Sequence, residues 1–328
     1  MTRGSTRQRK KDTMYLVCGE ALYDVLIDPT GLANSNKVSL SAKAGGSPHN
    51  VAIGLARLGC PVSLATEIAP DTLGRLLESR LAAEGVDRRF MRRTGKATPL
   101  AMVDVDALGN ARYAFHGLDS ILFHPDPEVV KPHWKSIYGV HVGSIPIVSR
   151  QSSAMLLELL RTAPKGIINS FDPNVRTAFE PDVERWRVSV EAFRQLVHLI
   201  KVSEEDLKTI YNADVDEGAI AQRWLSAHCS LVVVTRGERG SSLYSRFAGR
   251  IDVPPVKVIV ADTVGAGDSF QAAMLAWLAE RHLASPSALA KLSPEQLRAM
   301  GHFCSQAAAI TCRHRGPEFP YRKALLAQ

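Results

Sequence analysis

Short, largely apolar runs recur along the chain at residues 15–18, 62–65, 137–142, 166–171, 198–202 and 231–235. Runs of this length and uniformity predict strands buried on both faces. Between them apolar residues fall at helical spacing, as in Val51, Leu55 and Leu58, in Leu73, Leu76, Leu77 and Leu81, and across 150–162 and 270–278. Strands alternating with helices predict an α/β fold with a mostly parallel, doubly wound sheet. One region breaks the pattern. Residues 98–105 and 111–115 flank a polar turn at 106–110, which predicts an antiparallel hairpin. With the polar stretch 28–44 it forms a small second sheet over the main body, a candidate lid. The apolar run 256–260 predicts one further strand, leading into residues 261–270.

Local signals mark the helix ends. Ser47 is placed to cap a helix, Pro48 suits its first position and Gly59 its end. Gly54, inside that helix, costs roughly 1 kcal/mol of propensity and points to close packing. Asp71 caps the helix that follows.

The chain has 328 residues, 45% hydrophobic and 22% charged. That supports one large core of about 250–300 residues, or two domains. No run of about 18 apolar residues occurs, so no membrane span is expected. Five scattered cysteines, Cys18, Cys60, Cys229, Cys304 and Cys312, show neither metal spacing nor a disulfide framework, which favours a reducing cytoplasm. Of the net charge of +7, +4 lies in residues 1–13, where Arg3, Arg7, Arg9, Lys10 and Lys11 stand against Asp12. This basic extension is expected to be disordered rather than to bind nucleic acid, and Met14 is an alternative start. The mildly basic remainder suits an anionic ligand.

The candidate chemistry centres on Ala261-Asp-Thr-Val-Gly-Ala-Gly-Asp-Ser-Phe270. Gly265, Ala266 and Gly267 let backbone N–H groups converge at a helix start, a ready anion site, with the Asp268 carboxylate beside it. The alternative is a tight turn with Asp268 as helix cap. Asp24, Asp172, Arg176, Asp206, Thr235 and Asp268 all follow strand-like runs, where open α/β sheets bind ligands. The chain lacks a P-loop lysine motif, a three-glycine dinucleotide turn and a Gly-x-Ser-x-Gly elbow. Phosphoryl transfer to an alcohol fits what remains: it needs charge stabilisation, an in-line hydroxyl and a nearby proton acceptor.

Two separated segments then carry a resemblance. Gly45-Gly-Ser-Pro-His-Asn-Val-Ala52 and Asp262-Thr-Val-Gly-Ala-Gly-Asp-Ser-Phe270 resemble the N- and C-terminal signatures of the PfkB/ribokinase family of sugar kinases, over essentially residues 14–323. The resemblance implies a ribokinase-like three-layer sandwich with a mostly parallel central sheet and a small β-sheet lid. It also implies one kinase domain over 14–328, with the lid drawn from about 28–44 and 98–118. It assigns Asp268 as catalytic base and the amides of 265–267 as anion hole. Asp24, Gly45, Gly46 and Asn50 would hold sugar hydroxyls, with Arg176 near sugar and transferred phosphate. Ser203, Thr235, Gly237 and Gly240 would lie along the nucleotide, and Ala308 and Thr311 on the adenine side. Asp206 would reach Mg2+ through water, and Asp262 a monovalent cation such as K+.

Two positions depart from the family pattern. Its Asn-x-x-Glu metal motif appears as Ser203-Glu-Glu-Asp206, one methylene shorter, which a water-mediated contact tolerates. Its C-terminal Gly-Ala appears as Gly316-Pro317. Next to it, Arg313, His314 and Arg315 either face nucleotide phosphates or form a solvated basic edge. The segments Gly19-Glu-Ala-Leu22, Phe171-Asp-Pro-Asn-Val-Arg176 and Ala307-Ala-Ala-Ile-Thr-Cys312 are most similar to bacterial fructokinases. The expected reaction is transfer from ATP to the 6-hydroxyl of D-fructose. Another ketose, 2-keto-3-deoxygluconate, or a noncatalytic sugar sensor are the alternatives. The lid sheet's apolar face could pair two copies.

Overall fold

The computed structural model describes residues 13–27, 38–105, 111–117 and 126–326. The basic extension through residue 12, most of the 28–44 stretch and the 106–110 turn lie outside the described residues.

The first strand, β1 (Met14–Cys18), is buried along its whole length. Tyr15 and Val17 enter one hydrophobic core, and Leu16 and Cys18 enter a second. This two-residue period, apolar on both sides, is what a central strand between two helical layers requires. After it come β2 (Leu22–Ile27) and β3 (Leu40–Gly45), helix α1 (Ser47–Arg57), β4 (Val62–Ile68), helix α2 (Thr72–Ala83) and β5 (Met91–Arg93). The hairpin β6 (Leu100–Val105) and β7 (Ala111–His116) follows as expected. Regular winding resumes with β8 (Ile137–Gly143), helix α3 (Arg150–Thr162), β9 (Ile168–Asp172), helix α4 (Val183–Phe193), β10 (Leu199–Ser203), helices α5 (Glu204–Tyr211) and α6 (Glu217–Trp224), and β11 (Leu231–Thr235). The hairpin β12 (Ser241–Ser245) and β13 (Gly249–Val253) follows, then the long helices α7 (Ala266–Glu280) and α8 (Pro294–Cys312), and a short helical turn at Arg322–Leu326 comes last.

Nine strands form one sheet in the order β13-β12-β11-β10-β9-β8-β1-β4-β5. Pairing is parallel from β5 to β11, and antiparallel only across β11–β12–β13. Helices α1, α2, α7 and α8 cover one face; α3, α4, α5 and α6 cover the other. The fold is therefore a ribokinase-like three-layer sandwich. The winding reverses between β1 and β8, and such a reversal opens a crevice at the strand ends.

A second, four-stranded sheet, β3-β2-β6-β7, forms the lid. It includes β2, which the sequence pattern left outside the lid, so Asp24 sits on a lid strand rather than at the end of a main-sheet strand. Leu26 and Leu40 leave apolar surface exposed on it, continued by Val38 just before β3.

Two local expectations need correction. Residues 256–260 form no strand, and Ile259 is 92% exposed. Pro254 and Pro255 directly after β13 remove two ladder donors, so the chain leaves the sheet there. Ser47 is not a cap: Gly46 holds the N-cap position of α1 with φ +96°, and the Ser47 hydroxyl points elsewhere. Asp71, by contrast, caps α2 through the Gly74 N–H at 2.8 Å.

Helix α7 is buried along residues 268–278 and packs directly on α1. Gly54 makes that approach possible, since a Cβ there would lie 2.7 Å from the Ala272 Cβ. Gly54→Val should therefore push the helices apart and cost about 1–3 kcal/mol in a urea unfolding titration. An unchanged midpoint would show that the helix pair is not close-packed at this point.

Candidate functional site

Helix α7 begins in a turn that only glycine can make. Gly265, its N-cap, has φ +80°, and a Cβ there would lie 2.8 Å from the Pro317 Cβ. The Ala266 N–H bonds the Thr263 carbonyl at 3.1 Å. Among the described residues, the N–H groups of Gly265 and Gly267 form no hydrogen bond. The anion site expected from three amides thus has two free donors, because the turn itself consumes the Ala266 donor.

Asp268 lies in the first turn of α7, 6% exposed. The Ser47 hydroxyl donates to its Oδ1 at 2.7 Å, and the Asn50 amide donates to its Oδ2 at 2.8 Å. Both donors come from the first turn of α1, so the two signature segments meet at one carboxylate. The Ser47 bond takes the place of the cap expected of it, and the Asn50 bond uses one of the two N–H donors of that amide. Ser47 was missed as a site residue because a serine before Pro48 reads equally well as a helix cap.

The strand ends supply the remaining groups. Asp24 on β2 presses against Gly45, where a Cβ would fall 2.1 Å from Asp24 Oδ2. Gly46 abuts Glu20, whose carbonyl would stand 2.8 Å from a Cβ at that position. Glu20, just beyond β1, is 3% exposed. Its Oε1 accepts from Ser144 Oγ at 2.7 Å, while its Oε2 has no partner. Ser144 and Asn174, beyond β8 and β9, hold φ of +61° and +45°, strained for residues with a Cβ. Arg176 is half-buried and donates to its neighbour's carbonyl, Val175 O, at 2.8 Å.

These groups interact electrostatically. Burial pushes the Glu20 carboxyl up to about 7; Ser144 and Arg176 oppose the shift and Asp268 adds to it. Burial likewise pushes Asp24 up to about 6, against the pull of Arg176. Asp172 and Asp206 are also raised, chiefly by burial. Arg176 thus faces a group of carboxylates none of which is well solvated. The sequence pattern also missed Lys201, buried at 2% exposure with its Nζ 2.7 Å from Asp172 Oδ2. A charged residue inside the apolar 198–202 run was the available signal.

Along the expected nucleotide path, Ser203 and Thr235 pair across β10 and β11. Ser203 Oγ caps α5 by accepting the Asp206 N–H at 3.0 Å, and Asp206 Oδ1 accepts the Val175 N–H at 3.0 Å. Gly237 and Gly240 bracket a turn with φ of +54° and +80°. Ala308 is half-exposed, whereas Thr311 is fully buried with an unpartnered hydroxyl, so its side chain faces the core and not an open adenine wall. Asp262 clamps two turns, accepting Val264 N–H at 3.0 Å and Gly316 N–H at 2.8 Å. Arg313, His314 and Arg315 are exposed. The lid's Lys43 reaches the Arg315 carbonyl at 2.9 Å, and Phe115 meets Phe179 edge-on at 5.6 Å between ring centres. Among the described residues, no group of three His, Cys, Asp or Glu side chains could hold a metal ion, and no helix is long and apolar enough to cross a membrane.

Comparison with known proteins gives a consistent result. The model of the pfkB family carbohydrate kinases matches residues 12–324. A fructokinase of Rhizobium leguminosarum bv. trifolii is 32% identical over 285 residues, 87% of this chain and 86% of that protein. A fructokinase of Klebsiella pneumoniae is 32% identical over 315 residues, 94% of this chain and 97% of that one. The crystal structure of a fructokinase with bound ATP from Xylella fastidiosa superposes with a TM-score of 0.85 at 27% identity, covering 97% of this chain and 98% of the other.

The raised Glu20 value has a measurable consequence. Between its ordinary 4.5 and about 7, the folded chain binds more protons than the unfolded one. Stability therefore falls as pH rises through that window, and the penalty is complete above it. Glu20→Gln keeps the acceptor for Ser144 and should raise unfolding stability by about 1–3 kcal/mol at pH 8. At pH 5 it should change little. Urea titrations at both pH values check this, and an equal effect at each would contradict it.

Proposed function

The chain belongs to the pfkB family of carbohydrate kinases, and from that premise we propose that it transfers the γ-phosphoryl group of ATP to the 6-hydroxyl of D-fructose. The chain is an ATP-dependent kinase. The observation that carries the residue-level reading is the meeting of Asp268, pinned by Ser47 and Asn50, with the two free amides of Gly265 and Gly267. Near-complete coverage of curated fructokinases supports the choice of sugar.

The sugar's primary hydroxyl lies against Asp268. As its oxygen attacks the γ-phosphorus, the O–P bond forms, the bond to the β-phosphate oxygen breaks and ADP departs with that electron pair. The hydroxyl proton passes to Asp268, late in the step, when the oxygen has become acidic. Two hydrogen bonds hold the carboxylate in one orientation, yet each oxygen keeps a further lone pair for the substrate. The Gly265 and Gly267 amides and the Arg176 guanidinium face the charge on the moving phosphoryl group. Asp24, Gly45, Gly46 and the remaining N–H of Asn50 bound the sugar, with the lid closing over it to exclude water and suppress ATP hydrolysis.

Ser203, Thr235, Gly237, Gly240 and Ala308 line the nucleotide, with Thr311 behind them. Mg2+ bound to ATP would neutralise phosphate charge. Asp206 fits a water-mediated contact to it, because one of its oxygens takes no protein hydrogen bond among the described residues. Asp262 keeps lone pairs for a monovalent cation such as K+ beside the Gly316 turn. The exposed apolar residues Leu26 and Leu40 of the lid sheet, with Val38 just before β3, support a homodimer formed through the lid. Free cysteines throughout support a cytoplasmic setting.

A coupled ATP-to-ADP assay over fructose, other ketoses and 2-keto-3-deoxygluconate, with the product identified, tests the substrate. Fructose 6-phosphate should be the main product, and a higher kcat/KM for another sugar would replace fructose in this reading. Asp268→Asn should keep fructose binding while turnover drops by about 10²–10⁴-fold. Near-normal turnover would remove Asp268 from the role of proton acceptor.

A further inference from the structure

Lys201 has no part in the scheme above, and its position is unusual for a lysine. It lies in β10, where Leu199 belongs to the core under α7, and Ile200 and Val202 to the opposite core. Period-two alternation therefore points Lys201 toward α7. Its side chain is 3% exposed and that of Asp172 1%. A Cβ at Gly267 would lie 3.0 Å from Lys201 Nζ and meet nothing else within 4 Å. The ammonium is thus packed against the underside of the turn that carries the free amides.

Burial works against the ammonium, but the attraction and hydrogen bond of Asp172 outweigh it and hold Lys201 above its ordinary range. Asp206 and Asp268 act in the same sense. From β8, the buried His141 faces the same interior; burial and the Lys201 charge hold it well below its usual value, so it adds no second charge. The ammonium has three N–H donors, and among the described residues it makes one hydrogen bond, to Asp172. Asp172 Oδ1 has no partner. A buried pair satisfied this sparsely is a poor source of stability, since desolvation offsets most of its attraction. Its location makes better sense of it. The turn has lost one of its three amides to Thr263, and a full positive charge stands against Gly267, which carries one of the remaining two.

We propose that Lys201 is a positioning residue of the phosphoryl-transfer site, whose ammonium, fixed by Asp172 against Gly267, supplies positive potential through the α7 turn to the phosphoryl group in transit. It touches neither sugar nor nucleotide. Its effect is greatest where charge on the phosphoryl oxygens is held against the turn, and smaller for ground-state binding of ADP or fructose. Glycine at 267 suits the same arrangement, because a Cβ there would already crowd the ammonium at 3.0 Å.

The inference rests on the kinase reading, and the test separates the two. The wild-type chain is first assayed with ATP and fructose; absence of any phosphorylated sugar would sink the kinase reading itself. Two variants then address Lys201. Lys201→Met combined with Asp172→Asn removes both halves of the pair, so no uncompensated charge is left buried. Lys201→Gln keeps a donor for Asp172 but no charge. Each is measured for fructose affinity, for ADP affinity, and for affinity of ADP with magnesium and aluminium fluoride, a mimic of the phosphoryl group in transit. In whichever variant folds, fructose and ADP binding should stay within about threefold, while mimic affinity and kcat fall at least tenfold. Mimic binding and kcat within threefold of wild type would overturn the proposal. So would a parallel loss of all three affinities, the result expected if Lys201 only supports the fold.

Discussion

Two hydrogen bonds onto Asp268 tie the start of α1 to the start of α7 across more than 200 residues of sequence. The rest of the site is arranged around that junction. Gly54 lets the two helices touch one turn further along, against Ala272. Tyr15 in β1 reaches the Leu275 carbonyl of α7 at 3.1 Å, fixing the helix to the sheet. A carboxylate held this way has little freedom to rotate, which is what in-line transfer demands of a proton acceptor. The same helix start offers free amides, so the proposed proton acceptor and the proposed anion site share one rigid element.

The surroundings of that junction are electrostatically costly. Glu20, Asp24, Asp172, Asp206 and Asp268 crowd around Arg176 and Lys201, and burial raises the carboxyls of Glu20, Asp24, Asp172 and Asp206. Ser144 and Asn174 add backbone strain beside them. Orphaned oxygens on Glu20 and Asp172 extend the same pattern. None of this favours folding, and it is concentrated at the strand ends, where the winding reverses. Large apolar cores on both sheet faces, with Trp186, Trp224 and Phe193 fully buried, carry the stability that such a site consumes.

The lid contributes more than cover. Its strand β2 carries Asp24, and its strand β3 ends at Gly45, with only Gly46 between it and α1. Movement of the small sheet would therefore move the Asp24 carboxylate relative to Asp268. Lys43 and Phe115 already bridge the lid to the main body at Arg315 and Phe179.

Much of this was legible in the chain itself. Runs such as 231–235 and the helical spacing of 270–278 report burial on two faces or all round, because local periodicity encodes which sides of an element are dry. The glycines at 265 and 267 and the acid at 268 likewise announce a turn at a helix start. What local pattern could not encode is which distant group answers each side chain. Ser47 reads as a cap until Asp268 is placed beside it; the strand expected at 256–260 is a different case, since Pro254 and Pro255, which end the ladder, stand beside it in the sequence. Asp24 reads as a site acid beyond the end of a main-sheet strand until β2 joins the lid. Lys201 is the clearest case. Its partner Asp172 lies 29 residues earlier and its contact Gly267 far later, and only parallel pairing of β9 with β10 beneath α7 brings all three together. Sequence determined the elements and their buried faces, since those depend on near neighbours. Tertiary structure decided the charges and hydrogen-bond partners, since Coulombic and donor–acceptor contacts act across space regardless of separation along the chain.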